Sequence, residues 1–462
     1  MTIPIGDSGA PPVTPIPSIR PRSAGHQFVI YGDSCSGIAG ASHAANFKMI
    51  NAVVRRLDPP PEFIAFLGDE IVGLTIDGQE LMRQWRYWLD VEMGWLDRGS
   101  IPLFHTTSNH TTFDEGSEKV FREVLTLPQN GPPGQEGLSY HVRRQDLLLV
   151  FVHTSWSGLG GEGHIECSWL ESVLEEHAGA RYKLVLGHHP VFPVNGYAGS
   201  YQREIGPEYT RRFWDILVKN HVVAYVCSHI LAFDAQVQQG VLQLCTAGAG
   251  TAHRMPEGSE YLHCAQMALD AAGMRYQVLD IHGVVREQLS WPIPDGHPHS
   301  WIEVGRGESP ALFQGYLASA SIVMLRIRGR TAARPSAPAQ TIFSAFHAGI
   351  IAPLWLGLRG EGQVVTIILG PHSGRSPHYW FGPALPPGGD FELHLAFHPD
   401  LGPGGLLYRR RPSDPWSSLT AAAASGIERL DWPARWSIGH GQGGVADRPF
   451  RGPVLEVAAA VP

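Results

Sequence analysis

The sequence predicts an α/β domain of layered strands and helices followed by an all-β sandwich, and three observations carry that prediction. From about Gln27 to Pro292, apolar runs of strand length alternate with helical apolar faces. Beyond Phe313 no amphipathic helix is found, and short strand patterns alternate with turns. Between the two regions lies Trp291-Pro292-Ile293-Pro294-Asp295-Gly296-His297-Pro298, whose Pro, Gly and His content reads as a linker. The expected bounds are an N-terminal arm at 1–24, an α/β domain at 25–297, a linker at 298–312 and a β-sandwich at 313–462.

Taken in order, the first strand is Phe28-Val29-Ile30-Tyr31, with Asp33 just beyond it. Phe47, Ile50, Val53, Val54 and Leu57 then share a helical face. The run from Phe63 to Leu67 is a buried strand that stops at Gly68, which permits a sharp turn and leaves Asp69 at the carboxyl end. Leu81, Trp85, Trp88 and Leu89 form the next helical stripe, and Pro102-Leu103-Phe104 is a strand before Asn109. Two more helices (Trp169, Leu170, Val173, Leu174, then Phe213, Trp214, Leu217) flank the strands Leu184-Val185-Leu186, before His188, and Val222 to Val226, before His229. The Trp and Leu stripes read as core. A single Asp after a strand is ordinarily a turn former or cap. Five donors, each following a strand, point instead to a ligand site, because α/β proteins gather ligands at that edge. In the C-terminal half, Ile322 to Ile327, Thr341 to Phe346, Val364 to Leu369, Phe391 to Phe397 and Val454 to Val457 read as strands of a sandwich. The alternation in Phe391 to Phe397 predicts a half-buried strand.

Composition narrows the function classes. At 462 residues the chain is too long for one ordinary domain. It is 43% hydrophobic and only 17% charged, with 53 Gly and 37 Pro, which argues for large cores and many turns and against coiled coil or disorder. The net charge is −8 and no basic run exceeds Arg409-Arg410-Arg411, so an electrostatic footprint for nucleic acid is lacking. Five cysteines, odd in number and without a Cys-x-x-Cys, argue against a disulfide framework and for a reducing compartment. Residues 1–24 are Pro-rich with no apolar signal core, and no apolar run reaches bilayer length. The expectation is a cytoplasmic protein without membrane or nucleic-acid partners.

The stretches Gly32-Asp33-Ser34-Cys35, Gly68-Asp69, Ser108-Asn109-His110-Thr111, Gly187-His188-His189-Pro190 and Ser228-His229-Ile230-Leu231 resemble, in order and spacing, the calcineurin-like metallophosphoesterase superfamily. That family reads Asp-x-His, Gly-Asp, Gly-Asn-His-Asp/Glu, His and Gly-His-x-His. The resemblance covers roughly residues 25–292. It implies a four-layer α-β-β-α sandwich in which Asp69 bridges two metals and Asn109, His188 and His229 complete one intact site. The other site keeps Asp33, but Cys35 and Leu231 stand where the family has histidines. The purple-acid-phosphatase-like branch also lacks the first histidine and supplies a Tyr where this chain has Val72. Cys35 is the candidate thiolate ligand. Asp234, His253 and His153 are further substitutes, each more ordinarily a turn or core residue. Donors of this kind suit Mn, Zn or Fe. By resemblance His110 contacts the phosphate or protonates the leaving oxygen, with Thr111 in place of an acidic neighbour that would tune it, and His189 braces its loop.

The activity implied is metal-dependent hydrolysis of a small-molecule phosphate mono- or diester by metal-activated water, catalysed through Asp69 and His110. Two alternatives stand beside it: a weakened relative that binds a metal or ligand without turnover, and a hydrolase of another anionic ester such as a sulfate ester. Phe391 to Tyr408, Trp432 to Gly439 and Phe450-Arg451-Gly452 resemble a concanavalin-like or laminin-G-like jelly roll. That likeness implies a carbohydrate partner, against the alternative that the domain only packs on its neighbour.

Overall fold

The computed structural model describes residues 14–156, 161–162, 164–194, 205, 207–251, 261–292, 301–303, 307–308, 323–333, 339–346, 354–361, 363–369, 378–397, 405–421, 435–439 and 448–460. His253, most of the expected linker at 293–298, and Trp432 to Ala434 lie outside them.

The α/β region holds two six-stranded mixed sheets. In one, Leu147–Phe151, Tyr182–Leu186, Ala224–Cys227 and Val241–Thr246 run parallel, with Tyr140–Arg144 and Phe233–Gln238 antiparallel at the edges. In the other, His26–Tyr31, Ile64–Phe66 and Leu103–His105 run parallel. The antiparallel meander His263–Asp270, Gly273–Asp280 and Val285–Trp291 continues that sheet from His26–Tyr31. Central strands such as Leu147–Phe151 and Tyr182–Leu186 are buried at every residue, as expected of strands covered on both faces. Phe28, Phe63 and Phe66 share one core with Leu149, Leu184, Leu186 and Val226, so side chains of both sheets meet there.

Helices cover the outer faces. Ser42–Val54 places Phe47, Ile50, Val53 and Val54 inward. Leu57, expected on that helix, instead begins the short strand Leu57–Asp58, which pairs with Ile16–Pro17. The Asp58-Pro59 step that follows cannot continue a helix, because a residue before proline is driven from helical geometry. Gly78–Tyr87 starts at Asp77, whose carboxylate accepts from the Gln79 and Glu80 amides. The Trp85–Trp88–Leu89 stripe is buried, but Trp88–Glu92 is a π-helical turn and not a continued α-helix. Cys167–Glu176 and Pro207–Lys219 pack on the other sheet through Leu170, Leu174, Phe213 and Leu217. Among the described residues no helix is long and apolar enough to cross a membrane.

The C-terminal region contains two antiparallel sheets. One holds Ile302–Glu303, Val454–Ala460, Val323–Arg330, Asp390–Phe397, Leu406–Arg409 and Ser417–Ser418; the other runs from Gly307–Glu308 through Arg435–Ile438, Ala339–Phe346, Leu354–Arg359, Val364–Leu369 and His378–Ala384 to Thr420–Ala421. Leu325, Ile327 and Leu393 from the first share a core with Phe343, Leu356 and Trp380 from the second. Asp390–Phe397 is not the half-buried strand expected: His394 and Ala396, on its second face, are also buried. The reason is that Met324, Ala396, Leu407 and Trp416 join the core of the α/β region. Ser418 and Ser417 hydroxyls accept from the Val237 and Gln239 amides, so this sheet also caps the open edge of Phe233–Gln238.

Candidate metal centre

The parallel strands of both sheets end on the same side, and the five strand-end donors follow them. Asp33 lies beyond His26–Tyr31, Asp69 beyond Ile64–Phe66 and Asn109 beyond Leu103–His105. From the facing sheet come His188, beyond Tyr182–Leu186, and His229, beyond Ala224–Cys227. Asp33, Cys35, Asp69 and His229 all have left-handed backbone, at φ of 64°, 40°, 55° and 69°. Each such residue costs about 1–3 kcal/mol and persists only where its surroundings hold it. Here the loops hold one another. The Asp33 amide donates to the Gly68 carbonyl (3.1 Å), the Cys35 amide to Asp69 (2.7 Å), and the Ser228 amide to His188 (2.8 Å). Gly68, at φ 87°, passes so close to the neighbouring loops that a Cβ would lie 2.5 Å from Ser108 Cβ and 2.9 Å from His188 Nδ1.

Four donor atoms converge. His188 Nε2 stands 2.9 Å from Asn109 Oδ1, 3.1 Å from His229 Nδ1 and 3.5 Å from Asp69 Oδ1, and His229 Nδ1 is 3.0 Å from Asn109 Oδ1. Ligands around a tetrahedral zinc ion sit about 3.3–3.6 Å apart. His188 Nδ1 donates to the Leu67 carbonyl at 2.7 Å, which directs Nε2 toward Asn109 Oδ1. Orientation of a ring by a backbone carbonyl is the usual support of a metal-binding imidazole. The donors therefore fit a divalent metal ion. Asp69 and His188 are buried, whereas Asn109, His110 and His229 are partly exposed, so the centre opens on one side.

The carboxylates are unequal. Burial works to raise the Asp69 carboxyl, but the imidazoles of His110, His188 and His229 and the Ser108 hydroxyl bring it down to about 2. Burial and the adjacent Asp69 charge push Asp33 well above the usual carboxylate range. Asp33 Oδ2 accepts from the Ser228 hydroxyl and, at 3.2 Å, from the His229 amide. Burial and the same two carboxylates push the Cys35 thiol up. Behind them Glu70, fully buried, is pushed well above its usual range by burial, and its carboxyl shares a hydrogen bond with Nδ1 of His105 (2.8 Å), which burial lowers to about 3.

His110 lies over Asp69. Its amide donates to Asp69 Oδ1 at 3.2 Å and its Nδ1 donates to the Val72 carbonyl at 2.7 Å, which leaves Nε2 3.9 Å from Asp69 Oδ2. Cys35 Sγ is 4.0 Å from Asp69 Oδ2. Thr111 does not serve His110: its hydroxyl pairs with Ser108 Oγ at 2.8 Å, and Ser108 Oγ accepts the Asp69 amide. His189 Nδ1 bonds the Thr154 hydroxyl at 2.8 Å, a brace of its loop, while its ring lies 4.5 Å from that of His229. The substitutes considered for the second metal position are placed elsewhere. His153 bonds Thr107 (2.7 Å) and Glu118 (3.5 Å), and Asp234 accepts from Gln236 (2.8 Å). Neither joins a donor group among the described residues. Sequence reasoning missed Ser108, Ser228, Glu70 and the Val72 carbonyl; Ser108 and Ser228 flank the named motifs, but a backbone acceptor leaves no mark in a sequence.

No protein-family model and no curated protein sequence matches the chain. Among solved structures it is similar to a purple acid phosphatase from yellow lupin (Lupinus luteus) seeds, at 14% identity and TM-score 0.45, over 59% of this chain and 55% of the lupin chain. It is also similar to GAP50, the anchor in the inner membrane complex of Plasmodium, at 14% identity and TM-score 0.39, over 58% of this chain and 89% of that one. A putative 5'-nucleotidase from Staphylococcus aureus matches at 13% identity and TM-score 0.35, over 70% and 74%. The chain thus spans about half the length of the lupin enzyme. Likenesses of this depth say nothing of activity.

Proposed function

We propose that the chain is a metal-dependent hydrolase of small phosphate esters, of the calcineurin-like metallophosphoesterase type. The observation that carries this reading is the convergence of Asp69 Oδ1, Asn109 Oδ1, His188 Nε2 and His229 Nδ1 within 2.9–3.5 Å of their neighbours, at the ends of strands from two sheets. These four residues would hold one ion of the Mn, Zn or Fe kind. Such an ion lowers the pKa of bound water to about 7 and offsets charge on phosphoryl oxygens. The chain's own groups supply the rest. The ionised Asp69 carries charge into a buried site, the Leu67 carbonyl orients His188, Ser108 Oγ accepts the Asp69 amide, and His110 presents Nε2 at the open side, where it can hold a proton for a leaving oxygen.

The test pairs metal analysis of protein purified without chelator with a screen of aryl phosphate mono- and diesters and an aryl sulfate. Activity on phosphates that falls in Asn109→Ala and His188→Ala supports the reading. Metal retention without turnover of any ester leaves the weakened-relative alternative, and turnover of the sulfate alone replaces the substrate class. For the C-terminal region we propose a jelly roll of the concanavalin-like or laminin-G-like type. Loss of glycan-array binding on deletion of residues 313–462 would support a carbohydrate role, and its absence in the full chain would leave only packing.

A further inference from the structure

We propose that the π-helical turn Trp88–Glu92 is the outer support of the candidate metal centre, with Glu92 as its positioning residue. The proposal rests on the reading above and adds to it the part of the chain that aims the reacting groups. Met93, just past the turn, donates its amide to the Trp88 carbonyl at 2.8 Å, one residue further back than in an α-helix. Single turns of this kind are frequent at functional sites. Here both ends of the turn reach one loop. Trp88 Nε1 donates to Ser34 Oγ at 3.1 Å, and Glu92 Oε2 accepts from Ser36 Oγ at 2.6 Å and from the Gly37 amide at 3.0 Å. The loop so clamped is the one that carries Asp33 and Cys35 in left-handed backbone.

Two paths lead from that loop to the centre. Along one, Asp33 Oδ2 accepts from the Ser228 hydroxyl and, at 3.2 Å, from the amide of His229. Along the other, the Ser36 carbonyl accepts the Val72 amide at 2.9 Å, and the Val72 carbonyl accepts His110 Nδ1 at 2.7 Å. One carboxylate thus fixes the loop from which both His229 and His110 take their places. Glu92 is anchored in turn: its carbonyl accepts Asn51 Nδ2 at 3.2 Å, and Asn51 Oδ1 accepts the Tyr31 hydroxyl at 3.0 Å. Its Oε1 is buried with no hydrogen-bond partner among the described residues. Burial pushes the carboxyl above its usual range although Ser36 and Gly37 bond it. A half-satisfied buried carboxyl costs stability. A side chain that served only the end of its helix would avoid that cost by turning out to solvent.

Chelator competition for cobalt(II) on the full chain, with kcat and KM on an aryl phosphate beside it, tests this. Glu92→Ala should weaken metal binding by about 10–100-fold, the loss typical of an outer partner, and lower kcat with little change in KM. Glu92→Gln, whose side-chain oxygen can still accept from Ser36 and Gly37, should restore most of both. Ser36→Ala leaves the helix intact and should show the same defects in smaller measure. Leu81→Ala weakens the preceding helix at a buried residue away from the loop and should show neither. Wild-type affinity and kcat in Glu92→Ala and Ser36→Ala, or equal losses in Leu81→Ala, would overturn the proposal and leave the metal centre standing. A folded wild type that binds no cobalt would instead overturn the reading above, and this one with it.

Discussion

Asp69 stands in left-handed backbone because the loops around it leave no alternative, and the same crowding makes Gly68 irreplaceable. A methyl group at Gly68 would meet Ser108 and His188, at a φ of 87° that suits no L side chain. Gly68→Ala is therefore expected to lower stability by about 1–3 kcal/mol and to displace His188; an unchanged urea midpoint would show that the loops yield. Asn109→Ala removes one of four donors, so its effect on tight-metal affinity, read by chelator competition, should exceed the about 10–100-fold loss typical of deleting an outer partner. Loss of tenfold or less would place Asn109 outside the donor set. The residues that converge were legible in the sequence because each follows an apolar strand. What holds them was not: Thr111 looked like a poor neighbour for His110, and only the fold reveals that it serves Ser108 and, through it, Asp69.

The strand His26–Tyr31 shows an element-scale device of another kind. His26, buried at its start, bonds Glu62 at 3.0 Å through Nδ1 and Asp146 at 2.8 Å through Nε2, and so ties one sheet to the turn before Leu147–Phe151 in the other. Tyr182 meets the ring edge-on and Arg144 lies near Glu62. Burial alone would lower the His26 pKa, but the hydrogen bonds and charges of the two carboxylates outweigh it and raise it. A raised folded pKa means that the stabilisation is complete below the unfolded value of about 6.5 and is lost as pH rises through the folded value. Stability of the wild type should therefore fall across that window and that of His26→Gln should not, as measured by urea midpoints on either side of it. Equal pH dependence in both would remove His26 from the account. The strands were legible here because each is a dense apolar run, whereas the helix Glu115–Val124 was not expected. It buries only Val120 and Phe121 as apolar residues, and its clearest signal, the capping box of Asp114 and Ser117, is local.

On the scale of the whole molecule, the C-terminal sheets do more than follow a linker. They bury Ala396, Leu407 and Trp416 against the α/β core and cap the edge strand Phe233–Gln238 with Ser417 and Ser418. An uncovered edge of that kind invites intermolecular pairing. A fragment of residues 25–297 should accordingly melt lower than the full chain and aggregate more readily; equal melting and solubility would mean that the two regions are independent. The change from α/β to all-β was visible in the period of the apolar residues, but the contact between them was not, since His394 and Ala396 read as a solvent face. The central claim concerns the one centre where both sheets meet. Its most direct test is the metal content of the full chain purified without chelator, compared with His229→Ala. About one tightly held ion per wild-type chain, lost from a folded His229→Ala, is the expected result; a wild type that is folded yet retains no ion after reconstitution with Mn, Zn or Fe would contradict it.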